Sequence, residues 1–217
     1  MLLDPAPRIP LEALPVFPLP STVLFPDQQL PLHIFEPRYR QMVRDALESA
    51  PFIVVALIEG DPNVEPTRFA RVATAGRITA HQRLSDGRFN ILVDGSVRVA
   101  IEEVEAETLY RRVRCTPLVE PADALDVPEH ERGAMLSVLG MVMQLARRQT
   151  PTAEFKAPTD LDAARLAFRI TDRVITDAAW RQKVLEAETG IERVRRTTAA
   201  LASLLSELPT GGTRGVS

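Results

Sequence analysis

An α+β fold follows from three features of the chain. Up to about residue 120, short apolar runs are cut by Pro, Gly and Asp. One helical stripe lies among them, and a helical period takes over afterwards. The expected architecture is a small, partly closed β-barrel or curled sheet with one packed helix, followed by a C-terminal α-helical bundle. The boundaries read as 1–120 for the β domain, 121–209 for the helices and 210–217 for a disordered, Gly-rich tail.

The opening segment LPVFPLPSTVLFPDQQLPLHIFEPRYR places a proline every few residues. Proline removes a ladder donor, so strands here must lie at edges or carry bends. The helix is expected at 37–48. Pro37 suits the first helical position, and Tyr39, Met42, Val43, Ala46 and Leu47 share one face. The run Phe52 to Ile58, bounded by Pro51 and Gly60-Asp61-Pro62, is too short for a typical helix and reads as a buried strand. After a polar loop over 61–67, a strand is expected at about 70–84. Ser85-Asp86-Gly87 then turns into a strand over 88–93, and Asp94-Gly95 reads as a second turn, leading to Val97, Val99 and Ile101. A last strand over about 109–119 points Val113 and Cys115 inward.

Residues 121–128 read as a linker. The second helix, over about 129–149, carries Met135, Val138, Leu139, Val142 and Leu145 on one side. Pro151 and Pro158 bound the next loop. Asp160 is the expected N-cap of a helix through Ala164, Phe168, Thr171 and Val174. A short helix follows around 180–187, and Thr189 with Glu192 fits a capping box ahead of the last helix.

The 217 residues are 45% hydrophobic and 25% charged, and a chain of this length buries roughly 70% of its unfolded surface without help from a metal or disulfide. The single cysteine, Cys115, cannot pair within the chain, which points to a reducing, cytoplasmic compartment. No basic region followed by an apolar stretch opens the chain, and the longest apolar run is far short of a bilayer span. A soluble, cytoplasmic protein is expected. The net charge of -3 supplies no global attraction to nucleic acid.

Catalytic patterns are missing from the sequence. None of the ten glycines precedes a lysine, so no P-loop cradles phosphate, and no G-x-S-x-G elbow occurs. His33, His81 and His130 are widely separated, which predicts no metal and no cofactor. Cys115 lies in an expected strand and reads as buried and inert. The two lysines, Lys156 and Lys183, fall in a loop and a short helix, neither of them a convincing partner for a Ser-Lys dyad. The chain is therefore expected not to be an enzyme. One basic strip remains: Tyr110, Arg112 and Arg114 fall on one strand face and form an alternative surface for stacking RNA bases. The competing reading is a solvated strand face, with Glu102, Glu103, Glu105 and Glu107 near enough to neutralise it.

Leu14-Pro-Val-Phe-Pro-Leu19, Val23-Leu-Phe-Pro26 and Leu30-Pro-Leu-His-Ile-Phe-Glu-Pro-Arg-Tyr-Arg40 occur in that order. Together they resemble the signature of the Lon protease N-terminal, or LON substrate-binding, domain: a short "lPlfpl" strand, a "vlfPg" turn and a "lpLhiFe.RYr.m" step. Arg71 to Ile78 is similar to the family's "vGtva.I", with Ala73 where glycine is usual. Asp86-Gly87 with Val93 to Val99 resembles its "l.dGr..i.v.G..R..i", and Leu185 to Arg193 its closing "Ll...d...Rl". The resemblance spans 12–208 and includes neither Lon's ATPase nor its Ser-Lys peptidase, which implies a stand-alone domain. It implies a PUA-like β-barrel followed by a helical bundle, and a polypeptide or protein partner such as an unfolded substrate.

Strand addition at an open sheet edge, with aromatic pockets, is the mode of binding this predicts. Phe17, Phe25, Phe35 and Tyr39 are the candidate contacts, with core packing the stronger reading for any one of them. Arg38 and Arg40, at the strand-to-helix step, either cap backbone carbonyls or meet the partner. An RNA-binding protein, a small-molecule sensor and an enzyme with a site assembled through space are the other readings. The oligomeric state is not encoded in any pattern here.

Overall fold

Proline dictates how the sheet begins. β1 (Leu14–Leu19) carries Pro15 and Pro18, and β2 (Gln29–Ile34) carries Pro31. The computed structural model describes residues 9, 11–61, 63–64, 67–120, 126–150, 152 and 155–208. The chain divides into two compact units, Met1–Val119 and Glu120–Ser217. Positions 121–125 of the expected linker and the expected tail at 210–217 lie outside the described residues.

In the first unit, β1 and β2 are followed by α1 (Pro37–Glu48), β3 (Phe52–Glu59), β4 (Arg68–Phe69), β5 (Val72–Arg83), β6 (Phe89–Val104) and β7 (Arg112–Pro117). They form one mixed sheet with the path β1-β7-β6-β5-β3-β4, and β2 lies on β6. β1 also runs parallel to β3, with Val16 opposite Val54. A parallel pair needs a crossover, which β2 and α1 supply. The sheet curls until β1 meets both β3 and β7, and the β1–β7 seam is the short one. β1 meets β7 at only two positions, Leu14–Val113 and Pro15–Arg112, and Pro15 brings no N–H to that seam.

The run at β3 is apolar throughout because both of its faces are covered. Ile53 and Val55 pack in one core cluster with Phe17 of β1 and with Tyr39, Met42 and Val43 of α1. Phe52 and Val54 pack in the other with Val16, Val99, Val113 and Cys115. The inward positions expected for Val113 and Cys115 are therefore correct.

Asp94-Gly95 is not a turn. It lies inside the 16-residue strand β6, at a register shift where Gly76 of β5 faces Gly95. Gly95 answers to a close approach by the chain at 24–25, and Gly76 first to the neighbouring strand β6. A Cβ on Gly95 would stand 2.1 Å from the Phe25 carbonyl oxygen, and one on Gly76 would stand 2.7 Å from Val93. That crossing segment is fixed by Thr74, whose Oγ1 donates to the Leu24 carbonyl at 2.6 Å. It ends in a turn closed by Gln28 N–H donating to Phe25 O at 3.3 Å, with Pro26 second and Asp27 third at φ 60°. Proline followed by a positive φ is a type II turn, whose third position normally takes glycine. The strand expected at 70–84 is β5, Val72–Arg83, and the two-residue β4 lies just before it.

The second unit holds α2 (Glu129–Gln149), α3 (Ala163–Val174), α4 (Ala178–Leu185) and α5 (Gly190–Glu207). Met135, Leu139 and Val142 of α2, Leu166 and Ile170 of α3, and Val194 and Leu201 of α5 share its core. The N-cap of α3 is Asp162 rather than Asp160: its Oδ1 accepts from Arg165 N at 2.8 Å. Both aspartates suit a cap, but Asp162 immediately precedes the helix while Leu161 packs on the core. The capping box at α5 is half formed. Thr189 Oγ1 accepts from Glu192 N at 3.2 Å, whereas the Glu192 carboxylate accepts from the Glu188 N–H at 2.7 Å, one residue before the cap.

Candidate functional site

Alternation along β2 decides which side chains meet solvent. Leu30 and Leu32 are half-buried and Ile34 is 1% exposed, all on the core side. Gln29, Pro31 and His33 are exposed, and Phe35 continues that outward series at 61% exposure. A phenyl ring left largely in water at the junction of β2 and α1 is the prominent apolar feature of this surface.

A polar row braces the ring from the side. His33 stacks with Phe35 at 6.3 Å between centroids and 25° between planes. Arg88 Nη1 lies 3.3 Å from His33 Nε2, and because a guanidinium only donates, Nε2 must accept. The neutral ring then carries its proton on Nδ1 and donates it to Asn90 Oδ1 at 2.7 Å. Asn90 Nδ2 donates in turn to Gln82 Oε1 at 3.5 Å. His33 and Gln82 both face Asn90 in the register of the three strands. Asp86 anchors the far end: its Oδ2 accepts from Arg88 Nε at 2.6 Å and its Oδ1 from the Arg88 backbone N–H at 3.0 Å. That backbone hydrogen bond is the main cause holding the Asp86 carboxyl below its ordinary pKa.

The other expected contacts lie elsewhere. Phe17, Phe25 and Tyr39 are 7%, 0% and 8% exposed, so they are core residues that hold the surface from beneath. Phe17 and Tyr39 meet edge to face at 4.6 Å. Arg38 is exposed, pairs with Glu36 at 3.0 Å and lies over the Tyr39 ring at 4.7 Å. Arg40 is half-buried and packs against Gly87, where an added Cβ would stand 2.2 Å from its Nη2. Of the six residues, Phe35 and Arg38 share the exposed surface. Sequence reasoning missed His33, Arg88, Asn90 and Gln82, although the period-two pattern of 29–35 already places His33 beside Phe35.

The Tyr110, Arg112 and Arg114 strip does not form a stacking platform. Tyr110 is 3% exposed, its ring is part of the core under α1, and its hydroxyl donates to Asp45 Oδ2 at 2.9 Å. Burial is the main cause raising its pKa. Arg112 lies 5.5 Å over that buried ring, and Arg114 is 4.0 Å from Glu12. Arg111, between them, grips Glu103 through Nε at 2.6 Å and covers Phe69 at 4.3 Å. Cys115 is buried, which pushes its thiol up to about 11 and leaves it protonated at neutral pH. Among the described residues no group of three or more His, Cys, Asp or Glu is placed to hold a metal. No helix among them is long and apolar enough to cross a membrane.

A curled mixed sheet with one packed helix, four further helices and an exposed strand edge places the chain in a defined structural class. It is similar to the solved N-terminal domain of Mycobacterium avium complex Lon protease, with a TM-score of 0.66 and 16% identity over 88% of this chain and 98% of that one. A Lon N-terminal domain protein from Xanthomonas campestris gives a TM-score of 0.60 and 22% identity, over 86% and 97%. The family model described as the ATP-dependent protease La (LON) substrate-binding domain matches residues 13–203, and the chain belongs to that family. Lon protease from Trichlorobacter lovleyi is 29% identical over 200 residues. Lon protease 2 from Herpetosiphon aurantiacus is 30% identical over 200 residues. In each case the match covers 90% of this chain and 24% of the relative, so the chain spans about a quarter of the Lon proteases it matches.

Proposed function

We propose that the chain is a non-catalytic, cytoplasmic polypeptide-binding module. In this reading residues 1–120 form a PUA-like unit and 121–209 a helical bundle. Substrate recognition is the role that the family's description supports. The observation that carries the reading is Phe35: it is 61% exposed at the end of an uncharged strand, braced by His33 and unused by the core. A large aromatic left in water gains more from a partner than from its own fold.

The test is fluorescence anisotropy with a labelled, reduced and carboxymethylated polypeptide that cannot fold, beside a labelled single-stranded RNA, each at low and moderate salt. The polypeptide is expected to bind saturably at both salt levels. Phe35→Ala should weaken that binding about fivefold or more while leaving the thermal melt in place. RNA binding that falls steeply with salt, without polypeptide binding, overturns the reading.

A further inference from the structure

β2 pairs with β6 and takes no second strand partner among the described residues. Where its remaining backbone groups point follows from the bulge that precedes it. Gly95 N–H donates to Gln28 O at 2.8 Å, and Asp27 N–H donates to Gly95 O at 2.9 Å. In an antiparallel pair, residues that exchange hydrogen bonds recur at every second position. Counting from Gln28 and Gly95 along the register, the bonded pairs are Leu30–Val93, Leu32–Ile91 and Ile34–Phe89. The N–H and C=O of Gln29 and His33, and the C=O of Pro31, therefore face away from β6. Pro31, which has no N–H, occupies an outward position, where a central-strand donor is not required.

We propose that this outer edge of β2 takes an extended, uncharged polypeptide segment as an added strand, bonded to Gln29 and His33, with Phe35 packing on an apolar side chain of that segment. The inference rests on the polypeptide-binding reading and names what is recognised: main chain first, side chain second. Charge matching selects the occupant. No side chain from Gln29 to Phe35 carries a formal charge with His33 neutral. At the Phe35 end, Arg38 is paired with Glu36 and Arg88 with Asp86. A charged segment would lose hydration without finding an unpaired counter-charge on the strand. The edge also lacks the charged side chains that usually discourage strand pairing, and Pro31 only interrupts it.

Short overlapping fragments of the unfolded polypeptide compete for binding to the full chain, and the shortest competitor is remade with N-methyl groups on alternate amides, in two sets offset by one residue. Strand addition predicts a period of two: one set loses about tenfold in affinity and the offset set keeps it. His33→Pro, which removes an outward N–H, should weaken binding well beyond His33→Ala, which removes only the side chain. The methylated peptides test the idea on the unaltered protein if His33→Pro fails to fold. Equal effects of the two sets, or no effect of either, overturn strand addition while leaving polypeptide binding intact. Failure of the parent polypeptide to bind overturns both.

Discussion

The two units solve the same problem, burying apolar surface with little help from charge, by opposite means. In the β unit the decisive contacts join residues far apart in sequence: Phe25 against Gly95, Leu24 with Thr74, β1 with β3. Each depends on an atom being absent or a carbonyl being reachable. In the helical unit local signals dominate: Asp162, Asp177 and Thr189 each cap a helix that begins at the next residue. One buried polar device stands out there. Arg193, 2% exposed, pairs with Glu120 and lies 3.9 Å over the Phe168 ring. Thr171 and Thr197 add a hydrogen bond of 3.1 Å between α3 and α5. Backbone proximity thus governs one unit, and terminal capping with ion pairs such as Arg193–Glu120 and Arg181–Asp172 the other.

The same substitution should separate them most sharply. Gly95→Ala is expected to cost about 3 kcal/mol, because the new methyl meets backbone that cannot move aside cheaply. Gly140→Ala, in α2 with nothing within 4 Å of the added Cβ, should stabilise by roughly 0.5 to 1 kcal/mol. Denaturant titrations of both variants measure the contrast, and equal signs would break it.

Glu120→Ala should cost about 3 kcal/mol by stranding the buried Arg193 charge, and a double variant with Glu120→Leu and Arg193→Met should recover most of the loss. A smaller effect belongs to the cap: Thr189→Ala should lower stability by about 1 kcal/mol in a thermal melt. The smallest is a pH effect in the β unit. The Cys115 thiol, ordinarily at 9.0, is pushed up to about 11 by burial, so the folded chain holds that proton longer than the unfolded one. Its contribution is intact below the unfolded value and is lost as the pH rises toward the folded one. Cys115→Ala should flatten the decline, seen by comparing melts at about pH 8 and about pH 10.

Much of this was legible along the chain. The helix from Pro37, the buried strand from Phe52 and the helix 129–149 needed only periodicity and proline or glycine punctuation. The candidate site was legible in part. Four aromatics of the opening segment look alike as residue types, but only Phe35 faces water, because it continues the outward series of β2 while Phe17, Phe25 and Tyr39 pack inward. Asp94-Gly95 misleads for a related reason. The dipeptide suits a turn, yet here glycine is needed for the approach of Phe25, a residue seventy positions away in sequence.

Local composition, by itself, determined where helices start, which strands are buried on both faces and which family the chain resembles. Those properties depend on neighbours within a few residues or on ordered motifs. Tertiary structure alone decided the curl that brings β1 to both β3 and β7, the burial of Tyr110, the ladder through His33 and the outward backbone of β2. Each of these depends on strand register, and register is set by contacts between distant segments that no local pattern contains.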